Sequence, residues 1–251
     1  MNSPISKLSR PEYSSKLIGV IFFALSFYLF FFTPFTNAAI GALFIGIFSF
    51  LIIHRPTVEE DTAVAELKSG VLSLHALLED MDVSEKGVMV HPHKNLTEPR
   101  VYIPAGELET VPELYDEMSI VSGGRGRTGV SIIPPGKPLL DEAKDKMEYD
   151  MEGNGIEAGR ECMGYLSQGM ELAKSFSFRK EKGAIKIRIT LDRYDDYCEE
   201  VRGEAKSVCS RTGCPICSSF LTAASESLSE DLKVKSCEKE GKHVKYTLEV
   251  V

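Results

Sequence analysis

Positions 17–53 form a run of 37 residues without a charged side chain. About 20 apolar residues span the hydrocarbon of a bilayer, so the run is too long for one helix and long enough for two. It breaks naturally at Thr33-Pro34-Phe35-Thr36-Asn37. Pro34 lacks an amide proton and Asn37 turns the chain easily, which suits a tight connection. The run therefore predicts a transmembrane helical hairpin over residues 17–53, with helices over about 17–33 and 38–53, and the lipid bilayer as its partner. Gly41 and Gly46 would let the second helix approach its neighbour, although their spacing differs from the four-residue small-residue motif.

Lys7, Arg10 and Lys16 precede the run, His54 and Arg55 follow it, and no basic residue lies between its helices. The positive-inside rule then predicts a multi-pass protein of the cell membrane with both termini cytoplasmic and residues 1–16 as a cytoplasmic tail. A signal peptide cleaved near Ala38 is the competing reading, but the apolar stretch is too long for one. Residues 1–55 hold four Lys or Arg against Glu12 alone. That leaves 25 of the 29 basic and 36 of the 37 acidic side chains beyond them. So acidic a remainder should not hold nucleic acid by bulk charge.

Residues 57–80 read as a juxtamembrane helix. Val64, Leu67, Val71, Leu74 and Leu78 recur at alternating three- and four-residue steps, the pattern of a helical seam. Such a seam either packs on its own domain or pairs two copies into a homodimer. Residues 81–251 then read as a cytoplasmic α+β domain. Strands are expected at 87–91, 100–104, 120–121, 129–133, 184–190, 232–236 and 244–250. Helices are expected at 139–149, 156–174, 195–208 and 215–228.

The cysteines carry the strongest chemical signal. Cys209, Cys214 and Cys217 lie within nine residues in Cys-Ser-Arg-Thr-Gly-Cys-Pro-Ile-Cys, and Cys237 follows an expected helix. A zinc site could use the three with Cys237 or His243 as fourth ligand. The intervals also match those of plant-type iron–sulfur proteins. A thiol redox pair at Cys214 and Cys217 is the third reading, because a helix N-terminus lowers a thiol pKa. Packed small apolar residues are the plain alternative. Cys162 and Cys198 stand alone in the sequence.

Gly123-Gly-Arg-Gly-Arg-Thr-Gly129 resembles the phosphate-binding loop of cysteine-dependent tyrosine phosphatases. The nucleophile's place is Val121, which removes catalysis and leaves Arg125 and Arg127 as candidate anion ligands. Otherwise the segment is a hairpin turn. His91-Pro92-His93 offers two imidazoles that share a face if the chain is extended, yet no acidic or cysteine partner lies close in sequence.

Cys214-Pro-Ile-Cys217, Cys237 and Gly241 resemble the end of the 4-vinyl-reductase-like small-molecule-binding domain. A further cysteine of that pattern falls on Lys245 here. The hairpin, Val101-Tyr-Ile-Pro104, Ile133-Pro-Pro-Gly136 and the Cys-Pro-x-Cys together resemble uncharacterised archaeal membrane-anchored proteins. The first resemblance implies small-molecule binding and the second implies no known activity, so the expectation is a membrane-anchored cytoplasmic module that senses or binds a small ligand or metal. A thiol-redox or iron–sulfur protein and a structural scaffold without catalysis are the alternatives.

Overall fold

Pro34 does separate two helices, as its missing amide requires. In the computed structural model, α1 runs Pro11–Phe32 and α2 runs Thr36–Ile53. The hydroxyl of Thr33 donates to the Leu29 carbonyl at 2.7 Å as α1 closes. Gly46 lies against Phe23 of α1, whose ring would stand 3.3 Å from an added Cβ, whereas Gly41 faces open space. The structure describes residues 11–53, 60–123, 128–147, 150–181 and 183–251. The chain divides into two units, Met1–Glu60 and Asp61–Val251.

The expected transmembrane hairpin is corrected here. Among the described residues no helix is long and apolar enough to cross a membrane. The uncharged run is long only in sum. Its break leaves α2 with 18 residues, and the uncharged part of α1 begins only at Leu17. Helix α2 lies at the short end of the range of about 17–25 residues that spans the hydrocarbon, and the uncharged part of α1 lies below it. The fold class is α+β with an eight-stranded antiparallel sheet, not an α+β domain behind a membrane hairpin. The multi-pass cell-membrane localisation with cytoplasmic termini rested on that hairpin and falls with it.

In the second unit, α3 covers Glu60–Asp80. Its seam turns onto its own unit: Val71 and Leu78 are buried in the core, and Val64, Leu67 and Leu74 pack against it. The strands are β1 (Val88–Val90), β2 (Arg100–Pro104), β3 (Ile120–Val121), β4 (Gly129–Ile132), β5 (Ser175–Glu181), β6 (Ala184–Thr190), β7 (Leu232–Glu240) and β8 (His243–Val250). The helices are α4 (Lys137–Lys144), α5 (Gly155–Gly164), α6 (Asp195–Glu204), α7 (Lys206–Arg211) and α8 (Pro215–Leu228). The sheet order is β3-β4-β2-β1-β7-β8-β6-β5, each neighbour antiparallel.

Alternation sets which face meets the helices. On β6, Ile185, Ile187 and Ile189 are buried and the residues between them are not. Val244, Tyr246 and Leu248 repeat the pattern on β8. Strands β1 and β2 are buried on both faces. Met89, Val101 and Ile103 face the main core, while Val88, Val90 and Tyr102 meet Leu96 and Leu114 beneath the loop on the other side. Helix α8 is buried from Ile216 to Ser227. Its small residues permit this enclosure, and the hydroxyls of Ser219, Thr222, Ser225 and Ser227 donate to backbone carbonyls, whereas Ser218 Oγ has no partner among the described residues. Ser219 and Thr222 donate to carbonyls one turn back, and Ser225 donates to Met89 of β1 at 3.0 Å.

Candidate functional site

The cysteine-bearing turn is shaped by its neighbours in sequence. The amides of Thr212 and Gly213 both return to the Val208 carbonyl at 2.9 Å, which ends α7. Gly213 takes φ +72, a conformation that favours glycine. Cys214 is then extended, with φ -69 and ψ 165, and forms the N-cap of α8. Pro215 occupies the first turn, where a missing amide costs nothing. The Ser218 amide closes the first helical bond to the Cys214 carbonyl at 2.7 Å. Backbone amides of Ile216 and Cys217 donate to the Cys214 sulfur, and so does the Cys217 thiol.

Cys237 reaches the same core through an irregularity in β7. Leu232 and Val234 face inward, so strict alternation would bring Ser236 inward next. A bulge between Val234 and Ser236 shifts the register by one residue. Cys237 therefore pairs with inward-facing Tyr246, and Lys239 pairs with inward-facing Val244. Lys239 confirms the shifted parity. Its side chain is 9 % exposed and its ammonium lies 2.9 Å from Asp195 and 3.0 Å from Glu199.

The four thiols stand as two hydrogen-bonded pairs, Cys214 with Cys217 and Cys209 with Cys237. In each pair one thiol is held down and the other pushed up. The bond from Cys217 holds Cys214 below the usual thiol range, aided by the two amides. The same bond and burial push Cys217 up. Hydrogen bonds from Cys209 and Arg202 lower Cys237 to about 6, against burial. The bond to Cys237, together with burial, pushes Cys209 up. Arg202 Nη1 lies 3.4 Å from the Cys237 sulfur, and the Tyr246 hydroxyl donates to the Cys209 carbonyl at 3.0 Å. Cys214 and Cys217 are buried, whereas Cys237 is half-buried.

Several sequence expectations find their places. Cys209, Cys214, Cys217 and Cys237 do converge. Cys198, isolated in sequence, lies close enough to interact electrostatically with Cys214 and Cys237, and burial pushes it up to about 12. Cys162 sits apart on α5, raised to about 12 by burial. His243 is exposed at the start of β8, where it bonds Thr190 at 3.1 Å. Arg125 and Arg127 lie outside the described residues. Around α6, carboxylates meet lysines: Asp192 with Lys242 at 2.7 Å and Glu200 with Lys68 at 2.8 Å. Among the described residues no three thiols lie within 4.8 Å of one another; the three-residue group that does is His91, His93 and Asp231. Sequence reasoning missed Arg202 and Tyr246, since neither carries a motif.

Residues 33–247 match a family described as Domain of unknown function (DUF7982), and the chain belongs to that family. No curated protein and no solved structure matches the chain.

Proposed function

We propose that the Asp61–Val251 unit is a thiol redox module in which Cys209–Cys237 and Cys214–Cys217 each close into a disulfide. The observation that carries this reading is the pairing itself, with one thiol of each pair held toward the thiolate. A thiolate attacks, and a neighbouring thiol in contact resolves the product. Cys237 is the entry point. It is half-buried and lies beside a guanidinium, the electropositive and partly accessible setting of reactive cysteines. Closing one pair releases two electrons and two protons from the two thiols. A disulfide oxidant such as glutathione disulfide takes them and leaves as two thiols. The buried pair on α8 follows through Cys209–Cys237 or after local opening.

The test is a redox titration of the full chain across glutathione buffers, with thiols counted after acid quench and unfolding. Four of the six thiols should be lost on oxidation and return on reduction. Six persistent thiols in the folded oxidised chain would remove the reading.

A second reading, a soft metal ion such as zinc or an iron–sulfur cluster across both pairs, is favoured by the amide donors to Cys214. Donors of that kind offset thiolate charge at metal knuckles. It requires the pairs to close toward sulfur separations of about 3.8 Å, set by Zn–S bonds of about 2.3 Å. Cobalt(II) with a near-ultraviolet thiolate band, absent in Cys214→Ser, would favour it.

A further inference from the structure

Strands β1 and β7 pair with Met89 opposite Leu232, so the residues just beyond that pair also meet. His91 and Asp231 are brought together there from 140 positions apart. His91 Nδ1 lies 2.8 Å from Asp231 Oδ1, and the His91 amide donates to the same oxygen at 3.2 Å. Pro92 carries the chain on to His93, whose ring stacks on that of His91 with centroids 4.4 Å apart. His93 Nδ1 bonds the His91 carbonyl at 2.7 Å, which leaves the Nε2 lone pair free. One ligand atom from each of His91, His93 and Asp231 lies within 4.8 Å of the others. All three are half-buried, and His93 and Asp231 line a cleft of about 660 Å³.

We propose that His91, His93 and Asp231 form a binding site for a divalent transition-metal ion of the zinc class, separate from the thiol pairs. Imidazole and carboxylate suit such ions, and three protein ligands leave a coordination position open. That position faces the cleft, where a water or a small anionic ligand completes the shell. Two neutral imidazoles and one carboxylate leave a divalent ion with one net positive charge, so the ion attracts an anion. Lys94 and Lys233 in the cleft wall add to that attraction, against Glu109, Glu113 and Glu249. The His93 bond to a backbone carbonyl is the outer contact that fixes a ligating imidazole's tautomer. Ligand atoms around tetrahedral zinc stand about 3.3 Å apart for bonds of about 2.0 Å, so atoms that now lie within 4.8 Å of one another need move by no more than about 1.5 Å.

The test is cobalt(II) binding to the full chain, followed by equilibrium dialysis and absorption. Wild type should bind one equivalent that shows visible d–d bands without a near-ultraviolet thiolate band, and zinc should displace it. His93→Ala and Asp231→Asn should weaken that equivalent at least about tenfold while leaving any thiolate band unchanged. No thiolate-free cobalt at millimolar metal, or variants that bind like wild type, would overturn the proposal. Should a variant not fold, histidine-selective nitrogen NMR of wild type decides. Zinc should shift the His91 and His93 resonances among the five imidazoles, and unshifted resonances would overturn the site. The thiol titration reads neither signal, so the two proposals fail separately.

Discussion

Cys237 stands directly across the β7–β8 ladder from Tyr246, whose hydroxyl donates to the carbonyl of Cys209. One phenol thus ties together the strand and the helix that supply a thiol pair. Tyr246→Phe removes that tie and leaves a buried carbonyl without its donor, at a cost of about 1–3 kcal/mol. Urea unfolding should show the loss as a lower midpoint at unchanged slope.

Arg202 acts on the same thiol through charge. With Cys237 lowered to about 6, alkylation by iodoacetamide should rise through that pH in wild type. Arg202→Met removes a donor to the thiolate, so the midpoint should move to higher pH, while Arg202→Lys should hold part of the shift. An unmoved midpoint would mean that the guanidinium does not act on the sulfur.

Away from the thiols, Lys144 meets Glu226 at 2.6 Å, with side chains 33 % and 1 % exposed. The partners respond differently. Burial raises the Glu226 carboxyl despite the ammonium, while the pairing raises Lys144 despite its own burial. Burial dominates at Glu226, because its carboxylate is enclosed while the lysine head is a third exposed. Lys144→Met strands the carboxylate and should cost about 3 kcal/mol near neutral pH, less if water reaches the site. A carboxyl raised in the folded state contributes stability that is present below its unfolded pKa and lost as pH rises through its folded one. The deficit of Lys144→Met should therefore shrink as pH falls toward 4.5, the ordinary value of the carboxyl. Glu226→Gln, which strands no charge, should cost less at neutral pH. Unfolding free energies at several pH values check both statements.

Gly136 packs on the start of α8. A Cβ there would stand 2.1 Å from the Ser219 nitrogen and 2.4 Å from the Pro215 carbonyl oxygen, both backbone atoms that cannot swing aside. Gly136→Ala should destabilise by about 1–3 kcal/mol. It should also displace the Cys-Pro-Ile-Cys turn, read as faster alkylation of Cys214 and Cys217 in the folded chain.

Local patterns made part of this legible in the sequence. The alternating isoleucines of β6 and the proline-started α8 lie where periodicity and capping place them. Elements governed by distant contacts were not legible. Strand β5 offers only Phe176 and Phe178 in alternation at an exposed edge. The helix expected over 156–174 stops early, because α5 passes into a π-helical turn at Tyr165–Gly169. Backbone angles of φ -138 and ψ 46 at Ala205 divide the helix expected over 195–208 into α6 and α7. The uncharged run misled for a related reason, since its total length conceals how short each of its two segments is. Of the thiols, the three adjacent in sequence were evident as a group and Cys214 with Cys217 as one candidate pair, but the pairing of Cys209 with Cys237 was not. Alternation alone turns Cys237 outward, and only the bulge reverses it. The carboxylate beside His91 and His93 comes from the connection between α8 and β7, beyond the reach of any motif.

The most direct test of the central claim is to map disulfides by mass spectrometry in the full chain after equilibration with glutathione disulfide. The account predicts two linkages, Cys209–Cys237 and Cys214–Cys217, with Cys162 and Cys198 free. Linkages that cross between the pairs, or no linkage in a chain that stays folded, would contradict it.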